Sequence, residues 1–229
     1  MQQYGHAGHD KWVCGFTDVA DRPCIVHSFG SFGLSQFEES IAKRHSGCVI
    51  HTFDPTMDRL KLLSGYYRFP PRVNYHYIGI GTAPDASFVA NPTYGDYSFR
   101  VDSLHNIMAT LNHPYIDVLK IDVEGSEYSV IRALAAKGMP RIGHLLVEVH
   151  LSEQWSPNQE WPDVVRMVEL IEAAGFRLVH NEPLWSGGGM DGANTRTGGV
   201  EDMTELSFMH RDWVADVSSR LDGCEYDAA

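Results

Sequence analysis

Tyr115-Ile116-Asp117-Val118-Leu119-Lys120-Ile121-Asp122-Val123-Glu124-Gly125-Ser126-Glu127-Tyr128 is the stretch whose reading decides the fold. Ile116, Val118, Leu119 and Ile121 form a short apolar run of the length a buried strand needs. Asp122 and Glu124 fall where that strand ends, and Gly125 follows. Helical spacing then takes over at Tyr128, Ile131 and Leu134, and Gly138 with Pro140 stops the helix. Carboxylates at the carboxyl end of a central parallel strand face the crevice where open α/β sheets bind ligands. A plainer alternative stays open at this point: Asp122 caps the next helix and Glu124 is a solvated loop charge.

Upstream, Cys24–Phe29 reads as the first strand, turning at Gly30-Ser31-Phe32-Gly33. Ser35 and Glu38 have the spacing of a capping box, and Phe37 and Ile41 supply a buried helix face. Strand, glycine turn and helix make a nucleotide-binding opening, although G-S-F-G is not the G-x-G-x-x-G fingerprint. The next strand, Val49–Phe53, ends on Asp54, about twenty residues past the glycines, where such folds place an acid on ribose hydroxyls. Met57–Leu63 reads as a short helix and Tyr75–Ile78 as a third strand, turning at Gly79-Ile80-Gly81. Ala86–Arg100 reads as an insertion near a substrate mouth or as a surface hairpin. Asp102 is expected to cap a helix carrying Leu104, Ile107, Met108 and Leu111.

Beyond the centre, His144–His150 reads as a strand, Val164, Met167, Val168, Ile171 and Ala174 as an amphipathic helix, and Phe176–His180 as a strand. Residues 183–202 form a long Gly-rich loop, with Trp185 and Asn194 as lid candidates. Met203–Met209 is the last strand. Two strands joined by a loop without a helix cannot make a crossover, so these pair antiparallel.

Leu119-Lys120-Ile121-Asp122-Val123-Glu124-Gly125-Ser126-Glu127-Tyr128 resembles the signature of the FkbM-type methyltransferases, which use S-adenosylmethionine (SAM). Val147-Glu148-Val149-His150 and Glu205-Leu206-Ser207-Phe208 also resemble that family. Lys11-Trp12-Val13-Cys14 and Phe53-Asp54-Pro55-Thr56 are similar to a related animal methyltransferase-like branch. The resemblance spans roughly residues 11 to 213 of the chain. It implies a class I SAM-methyltransferase fold: a Rossmann-like α/β architecture, a mostly parallel seven-stranded sheet with an antiparallel last strand, and helices on both faces. It places SAM against Phe29, Gly30, Ser31, Gly33, Asp54, Gly81 and Asp122. Asp122, Glu124 and His150 become the catalytic candidates. In one reading His150 or Asp122 takes a proton from an acceptor hydroxyl. In another, Asp122 and Glu148, with His150 beside them, hold Mg²⁺. In a third, Glu148 and His150 only fix loops. The expected activity is O-methylation of a small-molecule or sugar-like acceptor. An NAD-dependent oxidoreductase and a non-catalytic module of the same fold are the alternatives.

The chain of 229 residues suits one domain over 11–229, preceded by a frayed, Gly/His-rich tail at 1–10 in which His6 and His9 are not assigned to a metal. A net charge of −12 argues against a general phosphate-backbone binder, so no nucleic-acid partner is expected. No apolar run has the length of a membrane span and none at the amino end reads as a signal segment. Cytoplasmic location and a lumenal or secreted domain both remain open, as does oligomeric state. Among Cys14, Cys24, Cys48 and Cys224, a Cys14–Cys24 bridge is one possibility in an oxidising compartment, and Cys24 and Cys48 as plain core residues another.

Overall fold

The apolar run ahead of Asp122 becomes β9, Ile116–Ile121, with every residue buried. It lies at the centre of the computed structural model, which describes residues 1–5, 11–16, 23–56, 70–89, 98–151, 159–184 and 203–215. The calls on His6 and His9, on a Met57–Leu63 helix, and on Trp185 and Asn194 in the 183–202 loop fall on residues outside that set. The chain opens with β1 (Gln2–Tyr4) and β2 (Lys11–Val13), followed by β3 (Cys24–Phe29), α1 (Gln36–Arg44) and β4 (Cys48–Phe53). Next come β5 (Val73–His76), β6 (Gly79–Ile80), β7 (Asp85–Val89), β8 (Ser98–Asp102) and α2 (Leu104–Leu111). After β9 follow α3 (Glu127–Lys137), β10 (Ile142–His150), α4 (Trp161–Ala173), β11 (Phe176–Leu184), β12 (Met203–His210) and α5 (Arg211–Ala215).

The main sheet has seven strands in the order β11-β12-β10-β9-β3-β4-β5. Every neighbouring pair from β10 to β5 is parallel, while β12 runs antiparallel to both β10 and β11. This is the class I methyltransferase arrangement, with the antiparallel last strand that the helix-less connection predicted. Period-two alternation gives the sheet two apolar faces. Leu119 and Leu145 pack with Tyr128, Ile131, Val164 and Ile171 in one core. Val118 and Leu146 pack with Phe37 and Ile41 of α1 in the other.

Several local expectations change. Residues Gln2–Tyr4, assigned to a frayed tail, pair antiparallel with Lys11–Val13, and Tyr4 is fully buried. Its ring packs against Phe16 and its hydroxyl meets His45, which offset the cost of ordering the terminus. The Ser35–Glu38 capping box does not form: Ser35 Oγ donates to Glu39, and Glu38 turns inward to 1% exposure. The cap of α2 is Ser103, whose Oγ accepts from Asn106 N, while Asp102 closes β8. The third strand starts at Val73 and ends at His76. Gly79-Ile80 is no simple turn but pairs with β8, which also receives β7 as a hairpin. Cys24 bridges to Cys48 and not to Cys14, because parallel register sets Cys24 and Cys48 side by side with Cα atoms 4.3 Å apart.

The site is shaped where β3 and β9 end. Asp122 N donates to Phe29 O, and Gly30 N to Phe53 O, drawing three strand ends together. Gly30 has φ +79, and a Cβ there would stand 1.6 Å from Asp122 O. Only glycine fits that crossing. A Gly30→Ala substitution is expected to destabilise the fold by about 3 kcal/mol or more, through both overpacking and backbone strain; urea unfolding of the two proteins checks this, and a shift under about 0.5 kcal/mol would contradict the close approach.

Candidate active site

A cavity of about 490 Å³ opens at the carboxyl ends of β3, β4, β9 and β10. Phe32, Phe37, Phe53, Ile80, Phe99 and Val101 form apolar wall, and Asp122, Glu124 and Glu148 form an acidic end. Gly30, Ser31 and Asp54, singled out for cofactor binding, line it, as does Asp122. Phe29, Gly33 and Gly81 lie outside the lining. Phe29 is fully buried and stacks on Phe53 with ring centroids 4.5 Å apart. Gly33 completes the turn at φ +73. Gly81 packs against Val101, 2.8 Å from where a Cβ would stand.

Asp54 does more than terminate a strand. One carboxylate oxygen accepts from Ser31 N at 2.9 Å and Phe32 N at 2.7 Å, with Ser31 Oγ at 3.3 Å. The other accepts from Thr56 N at 2.8 Å and Thr56 Oγ1 at 2.5 Å. A carboxylate has about four lone-pair sites, so these donors fill it. The side chain clamps the glycine turn, holding Phe32 at φ +48 with its ring 52% exposed at the cavity.

The acidic end is an alternating set of charges. Glu205 faces Glu148 directly across the antiparallel pair β12–β10. Lys11 of β2 bridges them, with Nζ 2.5 Å from Glu148 Oε2 and 2.6 Å from Glu205 Oε2. His150 Nδ1 lies 3.0 Å from Glu127 Oε1; its Nε2 lies 3.3 Å from Glu124 Oε2 and 3.5 Å from Glu148 Oε1. Lys120, on β9, donates to Gly30 O and sits 3.0 Å from Asp122 Oδ2. Glu127 Oε1 also accepts from Val123 N, fixing the turn that carries Glu124 at φ +54 and Gly125 at φ +95.

These contacts assign protonation. His150 hydrogen-bonds Glu127 through Nδ1 and sets Nε2 beside Glu124 and Glu148, surroundings that favour the imidazolium. Burial disfavours that charge, but Glu127, Asp122 and Glu124 outweigh it and lift the pKa to about 10. Of the two groups expected as a base, His150 or Asp122, the first thus sits in surroundings that favour its protonated form. For Asp122, burial pulls upward, yet Lys120, Lys11 and His150 bring the pKa down to about 2, leaving a weak base. Burial pushes Glu124 up to about 7, against the opposing field of His150. Glu205 is raised to about 7 by burial despite Lys11.

The Mg²⁺ reading fits poorly. Asp122, Glu148 and His150 offer ligand atoms within 4.8 Å of one another. An imidazolium has no lone pair for a metal, and Glu148 already holds an ammonium. Lys11, Lys120, Glu38, Glu127 and Glu205 were not picked out as site residues from the sequence. Lys120 carried a signal, a lone cation inside an apolar strand run. The other four needed the sheet order to bring them together.

A family model described as a methyltransferase domain matches residues 1–183. Human probable methyltransferase-like protein 24 is 25% identical over 195 residues, covering 76% of this chain and 48% of the relative. The chain thus spans about half the length of that relative. Among solved structures, the methyltransferase FkbM of Methylobacillus flagellatus shares 15% identity over 80% of this chain and 43% of its own, with a TM-score of 0.40. The fibrillarin pre-rRNA processing protein of Methanococcus jannaschii shares 11% identity over 82% and 67%, with a TM-score of 0.46.

The His150 assignment has a measurable sign. Its folded-state pKa is raised from 6.5 to about 10, so its stabilisation is fully present below about 6.5 and is lost as pH rises through about 10. Stability should fall more steeply between pH 7 and pH 10 in the wild type than in His150→Gln, followed by urea unfolding. Nitrogen-15 NMR should show a doubly protonated ring at pH 7.5, and a neutral ring there would refute the assignment.

Proposed function

The chain belongs to the methyltransferase-domain family, and on that premise we propose that it transfers the methyl group of SAM to an acceptor hydroxyl of a small or sugar-like molecule. The observation that carries the oxygen reading is Glu124: a carboxylate at the cavity wall, titrating near 7, beside a fixed imidazolium. The cavity also suits the cofactor, its apolar wall matching an adenine ring and its acidic end a sulfonium cation. Once bound, SAM supplies an already activated methyl carbon. The protein's task is then to align the acceptor and remove its proton.

In this reading Glu124 accepts the hydroxyl proton. Asp122, kept ionised by Lys120, Lys11 and His150, maintains the negative field at the sulfonium end. His150 holds Glu124 in place and keeps its proton affinity from climbing further. Asp54 acts through the glycine turn by fixing Ser31 and Phe32. The expected contact of Asp54 with ribose hydroxyls requires one oxygen to exchange a protein donor for the ligand. The reading that nucleic acid is not the acceptor rests on net charge alone, which bears on backbone binding and not on a single-nucleotide target.

Calorimetric titration with S-adenosylhomocysteine, with NAD⁺ as control, is the first check. Micromolar binding of the former alone is expected, and binding of NAD⁺ alone would overturn the proposal. Asp54→Ala should lose S-adenosylhomocysteine binding. Glu124→Gln should keep it while turnover falls by about 10²–10⁴-fold. Turnover is read as S-adenosylhomocysteine release with monosaccharides, phenols and an RNA oligonucleotide. The wild-type rate should rise with pH through about 7 as Glu124 ionises, and Glu124→Gln should lose that limb. A variant as active as the wild type would remove Glu124 from the chemistry.

A further inference from the structure

We infer that the Lys11 ammonium, carried into the strand ends by β2, is the resident cation of the acidic cluster and stands in place of a divalent metal. The first support is topological. Antiparallel pairing sets Glu148 and Glu205 directly opposite one another, and like charges in that position repel. A cation between them relieves that repulsion, and the chain provides one from its own amino-terminal hairpin. Lys11 is 2% exposed and touches both carboxylates at 2.6 Å or less.

The second support is the donor set. Of the three side chains close enough to share an ion, Glu148 is held by Lys11 and His150 is turned toward carboxylates through both nitrogens. Asp122 feels Lys11 and has its own partner in Lys120. A divalent ion entering here would have to expel the ammonium from Glu148. A lysine ammonium is a compact point charge with three donors, of which the two glutamates take two. Lys11 also borders the cavity. It acts as a positioning residue: it fixes Glu148, whose other oxygen faces His150, which in turn faces Glu124.

The inference concerns what balances the cluster, and it stands whether or not the protein transfers methyl groups. The probe is Mn²⁺, titrated by calorimetry and electron paramagnetic resonance into the wild type, Lys11→Gln and Lys11→Arg. Each protein is also checked for folding by circular dichroism and for S-adenosylhomocysteine binding, so that failure of the cofactor reading registers separately. Removing the ammonium frees the carboxylates of Glu148 and Glu205 as hard oxygen ligands. Lys11→Gln should therefore bind Mn²⁺ roughly tenfold or more tightly than the wild type, since ligand charge sets affinity at such sites. Lys11→Arg, which keeps the charge, should not. A purely structural lysine would give no gain in metal affinity. A folded Lys11→Gln that binds Mn²⁺ no better than the wild type overturns the inference. If Lys11→Gln fails to fold, the wild type decides alone. A melting temperature that ignores millimolar Mn²⁺ supports a resident ammonium, and one that rises with Mn²⁺ in the wild type but not in Glu148→Gln overturns it.

Discussion

The molecule is organised by the need to neutralise carboxylates crowded onto the ends of its central strands. Asp122, Glu124, Glu127, Glu148 and Glu205 converge there, with buried or half-buried side chains, and such charges are costly away from water unless paired. Among the described residues, three cations answer them: Lys120 from the central strand, His150 from its neighbour and Lys11 from the amino-terminal hairpin. None of these is conformationally free. Lys120 also ties down Gly30 O, and His150 is fixed from two sides by Glu127 and Glu124. The pairing that makes the acids tolerable is the same pairing that aims them.

That constraint explains the division of labour between otherwise similar groups. Asp122 and Glu124 are two residues apart, yet one is held near 2 and the other near 7. The difference comes from geometry. Asp122 ends the strand beside Lys120, whereas Glu124 sits past it on a left-handed turn, with its nearest described cation a shared imidazolium. One stays a fixed negative charge, while burial leaves the other near the middle of its titration at neutral pH.

The sequence made the architecture legible because its signals are local. An apolar run ending in acids, a glycine turn after a strand, and two strands lacking a helix between them each constrain the chain without reference to distant residues. The site was half legible. That Asp122, Glu124, Glu148 and His150 lie together was legible because strand ends in parallel sheets gather at one edge. Their roles were not, because a histidine's protonation depends on who faces both its nitrogens, and Glu127 and Glu124 are brought there only by folding. Lys11 stood only as the first residue of the Lys11-Trp12-Val13-Cys14 resemblance, with no role of its own, since its partners lie 137 and 194 positions away. Glu38 looked like a cap because the capping spacing also matches a helix whose third residue points inward.

The same long reach has an entropic meaning. Residues near the start of the chain and residues near its end must meet before the charges at the strand ends are balanced. Contacts of such sequence separation close large loops at an entropic cost. Until then Glu148 and Glu205 face each other without their cation. The apolar centre of the sheet is built without the amino-terminal ribbon, but the charges at its rim are balanced only with that ribbon docked on β10 and β12. The amino-terminal ribbon is thus part of what completes the site.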